Sequence, residues 1–268
     1  MIDMKEQILS FLPPEYPWKD RLFVFPQLDS TNNRLKVLAS QGAPHGTVLI
    51  ADRQTGGRGR MGRSFLSPPG VGIYMSILLR PKCAPQELMH LTCAVAAAMC
   101  RAVEHSVGLR PGIKWTNDLV WGKQKFAGIL TEMGLNSAGG VDWAIVGIGV
   151  NCCQRAEDFP PEIRDRACSL AMAAGRKIDR CRVAAAMMEA LWEMDASLFT
   201  GKENMLRFYR ENCVTIGKEI SVVGAGEIRH GRALDVDDKG ALVVQFSDSH
   251  VEAVNAGEVS IRGMYGYV

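Results

Sequence analysis

Hydrophobic residues fall into blocks of two kinds, and their order outlines the fold. Residues 47–51 and 71–79 are short apolar runs rich in Val, Ile and Leu, the second closed by Pro81. Runs of that length bounded by turn residues predict buried strands. Residues 86–107 are rich in Ala, Leu, Met and Val without a Gly or Pro, which predicts a long buried helix. Three further strands are expected over 112–115, 126–133 and 143–150, with Asn136-Ser137-Ala138-Gly139-Gly140 as the turn between the last two. Helices are expected over 182–199 and 202–211. Nearer the start, Asp29-Ser30-Thr31-Asn32 precedes Leu35, Val37, Leu38 and Ala39, and Gly42 follows: a helix start, an apolar face and a stop. Residues 1–20 carry Pro13, Pro14 and Pro17 and little periodicity, and read as a short leader. From Val214 the pattern changes. Short β-prone runs at 219–223, 227–235, 241–246 and 251–254 are separated by turns at Gly224-Ala225-Gly226, Asp237-Asp238-Lys239-Gly240 and Ser247-Asp248-Ser249, which predicts a small β-barrel.

Composition narrows the class. The 268 residues fit one large and one small domain at roughly 150 residues per domain. Hydrophobic residues make up 47% and charged residues 22%, which excludes a disordered or fibrous chain. The net charge of +2 gives no bulk attraction for nucleic acid. No apolar run reaches the roughly 18 residues of a membrane span, and no secretory signal opens the chain. Eight cysteines without a Cys-x-x-Cys spacing read as reduced thiols of a cytoplasmic protein.

Against that neutral background one segment stands out. Residues 53–63 hold four arginines, four glycines and no acid. Glycines let backbone N–H groups approach a ligand, and arginine forks match carboxylate or phosphate oxygens. Gly57-x-Gly59-x-x-Gly62 copies the dinucleotide fingerprint, but Pro68-Pro69 soon follows where a helix must begin. No Gly-Lys-Ser/Thr ends the loop, so it is not a Walker phosphate loop. A second polar group is Ile113-Lys114-Trp115-Thr116-Asn117-Asp118-Leu119, where strand alternation would send Lys114, Thr116 and Asp118 to one face. Lys125 then enters an apolar strand, and Asn151 ends another. Each has a bland reading as a turn or a solvated strand end. Beside a cationic glycine loop, Lys125 could instead neutralise a developing phosphate charge.

Taken in order, these segments resemble a biotin–protein ligase. The resemblance rests on Asp29-Ser30-Thr31-Asn32, on Gln54 through Arg63, on Lys114-Trp115-Thr116-Asn117-Asp118, on Lys125-Phe126-Ala127-Gly128-Ile129-Leu130, and on Gly147-Ile148-Gly149-Val150-Asn151. It runs from about residue 23 to the end. It implies an α+β fold: a mixed-sheet catalytic domain related to class II tRNA synthetases over 21–214, after the 1–20 leader, and an SH3-like β-barrel over 215–268. It implies two steps: biotin and ATP form biotinyl-5′-AMP, and the acyl group passes to a lysine of a carboxylase's biotin carrier domain. Magnesium is expected with the ATP.

Residue by residue, the resemblance puts Ser30, Thr31, Asn32 and Gln54 at the biotin head. Arg58, Gly59 and Arg60 lie in the loop that orders over biotin and the adenylate, and Arg63 reaches toward phosphate. Lys125 sits by the reacting carboxylate and α-phosphate, with Asn117 and Asn151 near adenine. Asp118 belongs at the reaction centre, toward either magnesium or the incoming amine. Catalysis is thus expected from Lys125, Arg60 and Asp118. Two residues depart from the family pattern: Thr116 stands where proline is frequent, and Phe65 where tryptophan is frequent, so Phe65 is expected to stack on adenine over less area. The short ligase-only type, with no DNA partner and no membrane, is expected, and homodimerisation is common in the family. The alternatives are a lipoate or octanoyl ligase or transferase of the same fold family, and a non-catalytic biotin sensor.

Overall fold

The computed structural model describes residues 3–224, 227–256 and 260–263, with the side chains of 260–263 left aside. Ala225 and Gly226, within one turn expected above, and the last residues of the 215–268 barrel lie outside the described residues. The larger unit is a seven-stranded sheet. Its strands are β1 (Leu22–Phe25), β2 (Thr47–Ala51), β3 (Gly72–Leu79), β4 (Gly112–Lys114), β5 (Asp118–Trp121), β6 (Gln124–Leu135) and β7 (Val141–Asn151), in the order β1-β2-β3-β7-β6-β5-β4. β1 and β2 run parallel and every other pair antiparallel, so the sheet is mixed.

Both faces of this sheet are covered, and side-chain alternation sorts the residues between them. Ile73, Met75, Ile77 and Leu79 of β3, with Val146 and Ile148 of β7, join the main core. That core includes α3 (Leu91–Val107) and α5 (Arg180–Ala196), and α6 (Lys202–Asn212) packs beside α3. α3 begins five residues later than expected because residues 85–88 wind as a 3-10 turn behind Pro85. It ends at Gly108, whose φ of 78° forms the left-handed cap while its N–H bonds to Glu104 O. On the other face, α2 (Thr31–Ser40) lays Leu35 and Ala39 on Leu49, Leu78 and Ile145. Its N-cap is Ser30, whose hydroxyl accepts from the Asn33 N–H.

The segment read as a leader is part of the fold. α1 (Met4–Phe11) packs on α5 with Ile8 fully buried. Tyr16 and Trp18 are also buried, and Tyr16 donates to Met188 O at 3.0 Å. Its apolar residues are irregularly spaced, so periodicity did not reveal it; contact with α5 supplies the stability that a helix of this length lacks alone. β1 and the short helix α4 (Leu170–Ala174) were also not foreseen. The expectation that Lys114, Thr116 and Asp118 share one face holds for two of the three: β4 ends at Lys114, the chain reverses, and Lys114 and Asp118 share a face as a cross-strand pair, while Thr116 Oγ1 turns to Cys93 Sγ at 3.8 Å. Thr116 sits in that reversal, where its carbonyl accepts from Tyr209 Oη at 3.1 Å.

The C-terminal unit is a five-stranded antiparallel sheet. It comprises β8 (Glu219–Gly224), β9 (Glu227–Val236), β10 (Leu242–Phe246), β11 (Val251–Val254) and β12 (Ser260–Gly263), ordered β11-β10-β9-β8-β12. Arg60 donates to the carbonyl of Ala256, tying this unit to the arginine loop.

Candidate active site

On the α2 face of the sheet the side chains shrink along β3 and β7. Leu78 and Ile145 support α2, and further along the same face stand Ser76, Gly147 and Gly149. Gly128 of β6 lies opposite Gly149. The absent side chains open a cavity of about 930 Å³. A Cβ on Gly147 would come within 2.1 Å of Asn32 Oδ1, one on Gly149 within 2.6 Å of the Phe65 ring, and one on Gly128 within 2.9 Å of Lys125 Nζ. These glycines keep the floor bare so that neighbouring side chains can cross it.

All thirteen site residues expected from the sequence line this one cavity: Ser30, Thr31, Asn32, Gln54, Arg58, Gly59, Arg60, Arg63, Phe65, Asn117, Asp118, Lys125 and Asn151. They divide into two ends. At the neutral end, the Thr31 N–H and hydroxyl both donate to Gln54 Oε1, at 2.8 and 3.0 Å, and Gln54 Nε2 donates to Ser67 Oγ at 3.0 Å. Ser76 Oγ lies 2.7 Å from Thr31 Oγ1 and 2.6 Å from Asn32 Oδ1. Ser30, Thr31, Asn32 and Ser76 are buried. This network is bonded from several elements, so its donors and acceptors hold fixed directions.

The other end is cationic. Lys125 Nζ lies 2.6 Å from Asp118 Oδ1, and Lys114, Arg60, Arg63 and Arg166 also line the cavity. Asp118 is the only carboxylate among these lining residues. Burial pushes the Lys114 amine down to about 8, against the upward pull of Asp118, with Lys125, Arg63 and Arg166 adding to the depression. Burial likewise lowers Arg60, and Asp118 opposes it. Arg60 donates to Asn117 Oδ1 at 2.8 Å, and Asn117 Nδ2 donates to Ile129 O at 2.9 Å. Asn151 Nδ2 donates to Cys168 O at 3.1 Å while its Oδ1 accepts from Gln154 at 3.2 Å. The arginine loop spans the two ends. Residues 58 and 64 pair across it, Gly59 N–H bonds to Arg63 O at 2.6 Å, and Met61 takes a left-handed φ of 54°. Phe65 lies edge-on to Tyr74 at 6.4 Å.

Three contributors had not been singled out. Lys114 lies inside the Lys114–Asp118 motif without an expected role, Ser76 is hidden in an apolar strand, and Arg166 lies in an irregular stretch. The polar serine inside 72–79 was the signal for the second; nothing local pointed to the third. Among the described residues no helix is long and apolar enough to cross a membrane, and no group of three or more His, Cys, Asp or Glu could hold a metal.

A sheet-floored cavity with a neutral end, a cationic end and a glycine–arginine loop over both is built to bring an acid and a nucleotide together. Residues 24–151 match the biotin/lipoate A/B protein ligase family, and residues 215–262 match the biotin protein ligase C-terminal domain. The chain is 36% identical to the bifunctional ligase/repressor BirA of Bacillus subtilis over 222 residues, which are 82% of this chain and 68% of that protein. It is 32% identical to the biotin–[acetyl-CoA-carboxylase] ligase of Mycobacterium tuberculosis, over 90% of this chain and 89% of that one. The biotin protein ligase of Aquifex aeolicus, solved in complex with biotin and ATP, superposes with a TM-score of 0.77 at 31% identity, covering 90% of this chain and 98% of that one. The chain belongs to the biotin protein ligase family.

Proposed function

We propose that this protein is an ATP-dependent biotin–protein ligase that acts on a carrier domain of a carboxylase. The carrying observation is the single cavity whose neutral hydrogen-bonding end adjoins a cluster of lysines and arginines. Biotin has a neutral polar head and an anionic tail, and ATP brings further negative charge. Thr31, Asn32, Ser30 and Gln54 take the ureido head, and the bare glycine floor admits the bicyclic ring. Lys125, Arg60 and Arg63 then hold the carboxylate against the α-phosphate, offsetting repulsion between anions with charge already in place. A carboxylate oxygen attacks the α-phosphorus, and pyrophosphate leaves with the electron pair of the broken P–O bond. Phe65, Asn117 and Asn151 take the adenine side.

In the second step the acceptor lysine's amine attacks the acyl carbon, and AMP departs. Asp118 takes the proton that this amine sheds, and its 2.6 Å pairing with Lys125 orients it. The loop of residues 56–66 closes over the adenylate and shields the mixed anhydride from water. Magnesium would fit this donor set as an ion carried in mainly by phosphates and water, with Asp118, the one carboxylate among the described lining residues, as its protein ligand. It would spread negative charge off the triphosphate. Residues 21–214 carry this chemistry, and 215–268 supports the loop through the Arg60–Ala256 contact.

Intact-mass spectrometry of a biotin carrier domain incubated with the protein, biotin and magnesium-ATP tests this. An added biotinyl mass is expected, absent without ATP or without the acceptor lysine. Transfer of lipoate or octanoate instead would overturn it. Adenylate that forms but never transfers would leave a sensor.

A further inference from the structure

Behind the neutral end of the cavity lies a charged group with no role in the scheme above. Glu132 stands on the α2 face of β6, two residues beyond Leu130. One carboxylate oxygen accepts from Asn32 Nδ2 at 2.9 Å, and the other from Lys36 Nζ at 2.6 Å and Arg58 Nη1 at 3.3 Å. Arg58 donates also to Asn33 Oδ1 at 3.0 Å. This carboxylate therefore joins the sheet, the first turns of α2 and the arginine loop.

A half-exposed ion pair contributes little by itself, so the Lys36 contact alone would carry no function. Asn32 decides otherwise, because it is buried and lines the cavity. A carboxamide can turn by half a revolution, exchanging its donor and acceptor. An ionised carboxylate only accepts, so Glu132 draws Nδ2 outward through the shorter, charge-assisted bond, with the Leu130 carbonyl a longer second acceptor at 3.4 Å, and Oδ1 is left beside Ser76 over Gly147. The Arg58 contact draws the loop toward the same point. Burial works against the charge on Glu132, but hydrogen bonds from Lys36 and Asn32 outweigh it and hold the carboxyl below its usual range.

We infer that Glu132 is a positioning residue for the biotin head: it sets the direction of the Asn32 carboxamide and anchors Arg58, so that this end is assembled before the ligand arrives. The inference rests on reading the neutral end as the biotin site. Biotin binding is measured by calorimetry in the whole protein, with steady-state kinetics and thermal melting alongside. Glu132→Gln removes a charge-assisted bond, an effect of about tenfold. It is expected to weaken biotin binding and raise the KM for biotin by that factor, while kcat and the KM for ATP stay within about twofold. Lys36→Ala, which leaves Asn32 and Arg58 in place, is expected to bind biotin within about twofold of wild type. Wild-type affinity in Glu132→Gln overturns the inference, as does equal weakening in Lys36→Ala, which would make the carboxylate a mere support for α2. Should Glu132→Gln fail to fold, Glu132→Asp reads the same point: its shorter arm cannot span Asn32 and Arg58, and undiminished affinity overturns the inference. A wild-type protein that binds no biotin at all removes the function reading as well, so the two failures are told apart.

Discussion

The two ends of the cavity are built differently. The neutral end stands on β3, β6, β7 and the start of α2, each held by sheet or helix bonding and by side-chain bonds among buried groups. The cover is a glycine-rich loop outside the sheet, tied over the cationic end at Asn117 and at the carbonyl of Ala256 and at the neutral end through Arg58 to Asn33 and Glu132. Rigid elements suit a small neutral ligand that must be discriminated by direction. A loosely tied loop suits a large anion that must enter before water is shut out. The difference teaches that recognition and closure rest on different elements that meet at Glu132, and substitutions away from that carboxylate should separate them.

The largest effect on binding is expected at the floor. A Gly147→Ala methyl would overlap Asn32 Oδ1. Overpacking costs about 1–3 kcal/mol, and the displaced atom belongs to the carboxamide proposed to meet biotin, so biotin affinity should fall about 100-fold by calorimetry. ATP binding should change far less. Equal losses for both ligands would show that the two ends are not independent.

A comparable loss, of the opposite kind, belongs to Lys125→Met. Removing a preorganised charge from a reacting centre costs about 10²–10³ in rate. Pyrophosphate release in single turnover should slow by that factor, while biotin binds within a few-fold of wild type. If biotin binding collapses instead, Lys125 is a ground-state binder rather than a contributor to the transition state.

These two positions also mark how far the chain could be read without coordinates. Gly147 and Lys125 both sat in local strings, and every site residue in such a string reached the cavity. What did not show were features created by packing. Ser76 is one polar residue in an apolar strand, and only the meeting of β3 with α2 gives it partners. α1 is too short and irregularly patterned to be visible until α5 covers it. The hairpin between Lys114 and Asp118 took Thr116 out of the alternation because strand period says nothing about where a chain reverses.

An intermediate effect is expected from pH. Lys114 titrates near 8, below its unfolded value of about 10.4. Between those values the unfolded chain holds the extra proton, so Lys114 makes stability rise as pH rises from about 8 to 10. For activity the sign is reversed: Lys114 lines the cationic end proposed to receive ATP, and its cation is present below about 8 and lost above it. The value of kcat/KM for ATP should therefore fall above pH 8, and Lys114→Arg should remove the fall. A profile unchanged in that variant would assign the decline elsewhere, with Asp118, Lys125, Arg63 and Arg166 the groups facing this amine.

Closure itself is read by hydrogen exchange. Amides of residues 56–66 should exchange rapidly in the free protein and slow at least tenfold once biotin and ATP are added, while β6 and β7 stay protected throughout. Full protection of the loop before ligand is added would make it a fixed wall, and the contrast between the ends would vanish.

The smallest effect tests what the loop covers. Phe65 rests above Gly149, close enough that no side chain could stand beneath it. Its ring is the loop's aromatic group, proposed above to face adenine. Aromatic contacts add about 0.5–1.5 kcal/mol beyond area, and tryptophan offers a larger face. Phe65→Trp should therefore slow release of the biotinyl-adenylate about threefold to tenfold in a chase experiment, with biotin affinity alone unaltered because the neutral end is untouched. An adenylate held no longer than in wild type would mean that the ring packs against Tyr74 and the floor without meeting the base. Retention would then depend on Arg60 and its bonds to Asn117 and Ala256 rather than on stacking.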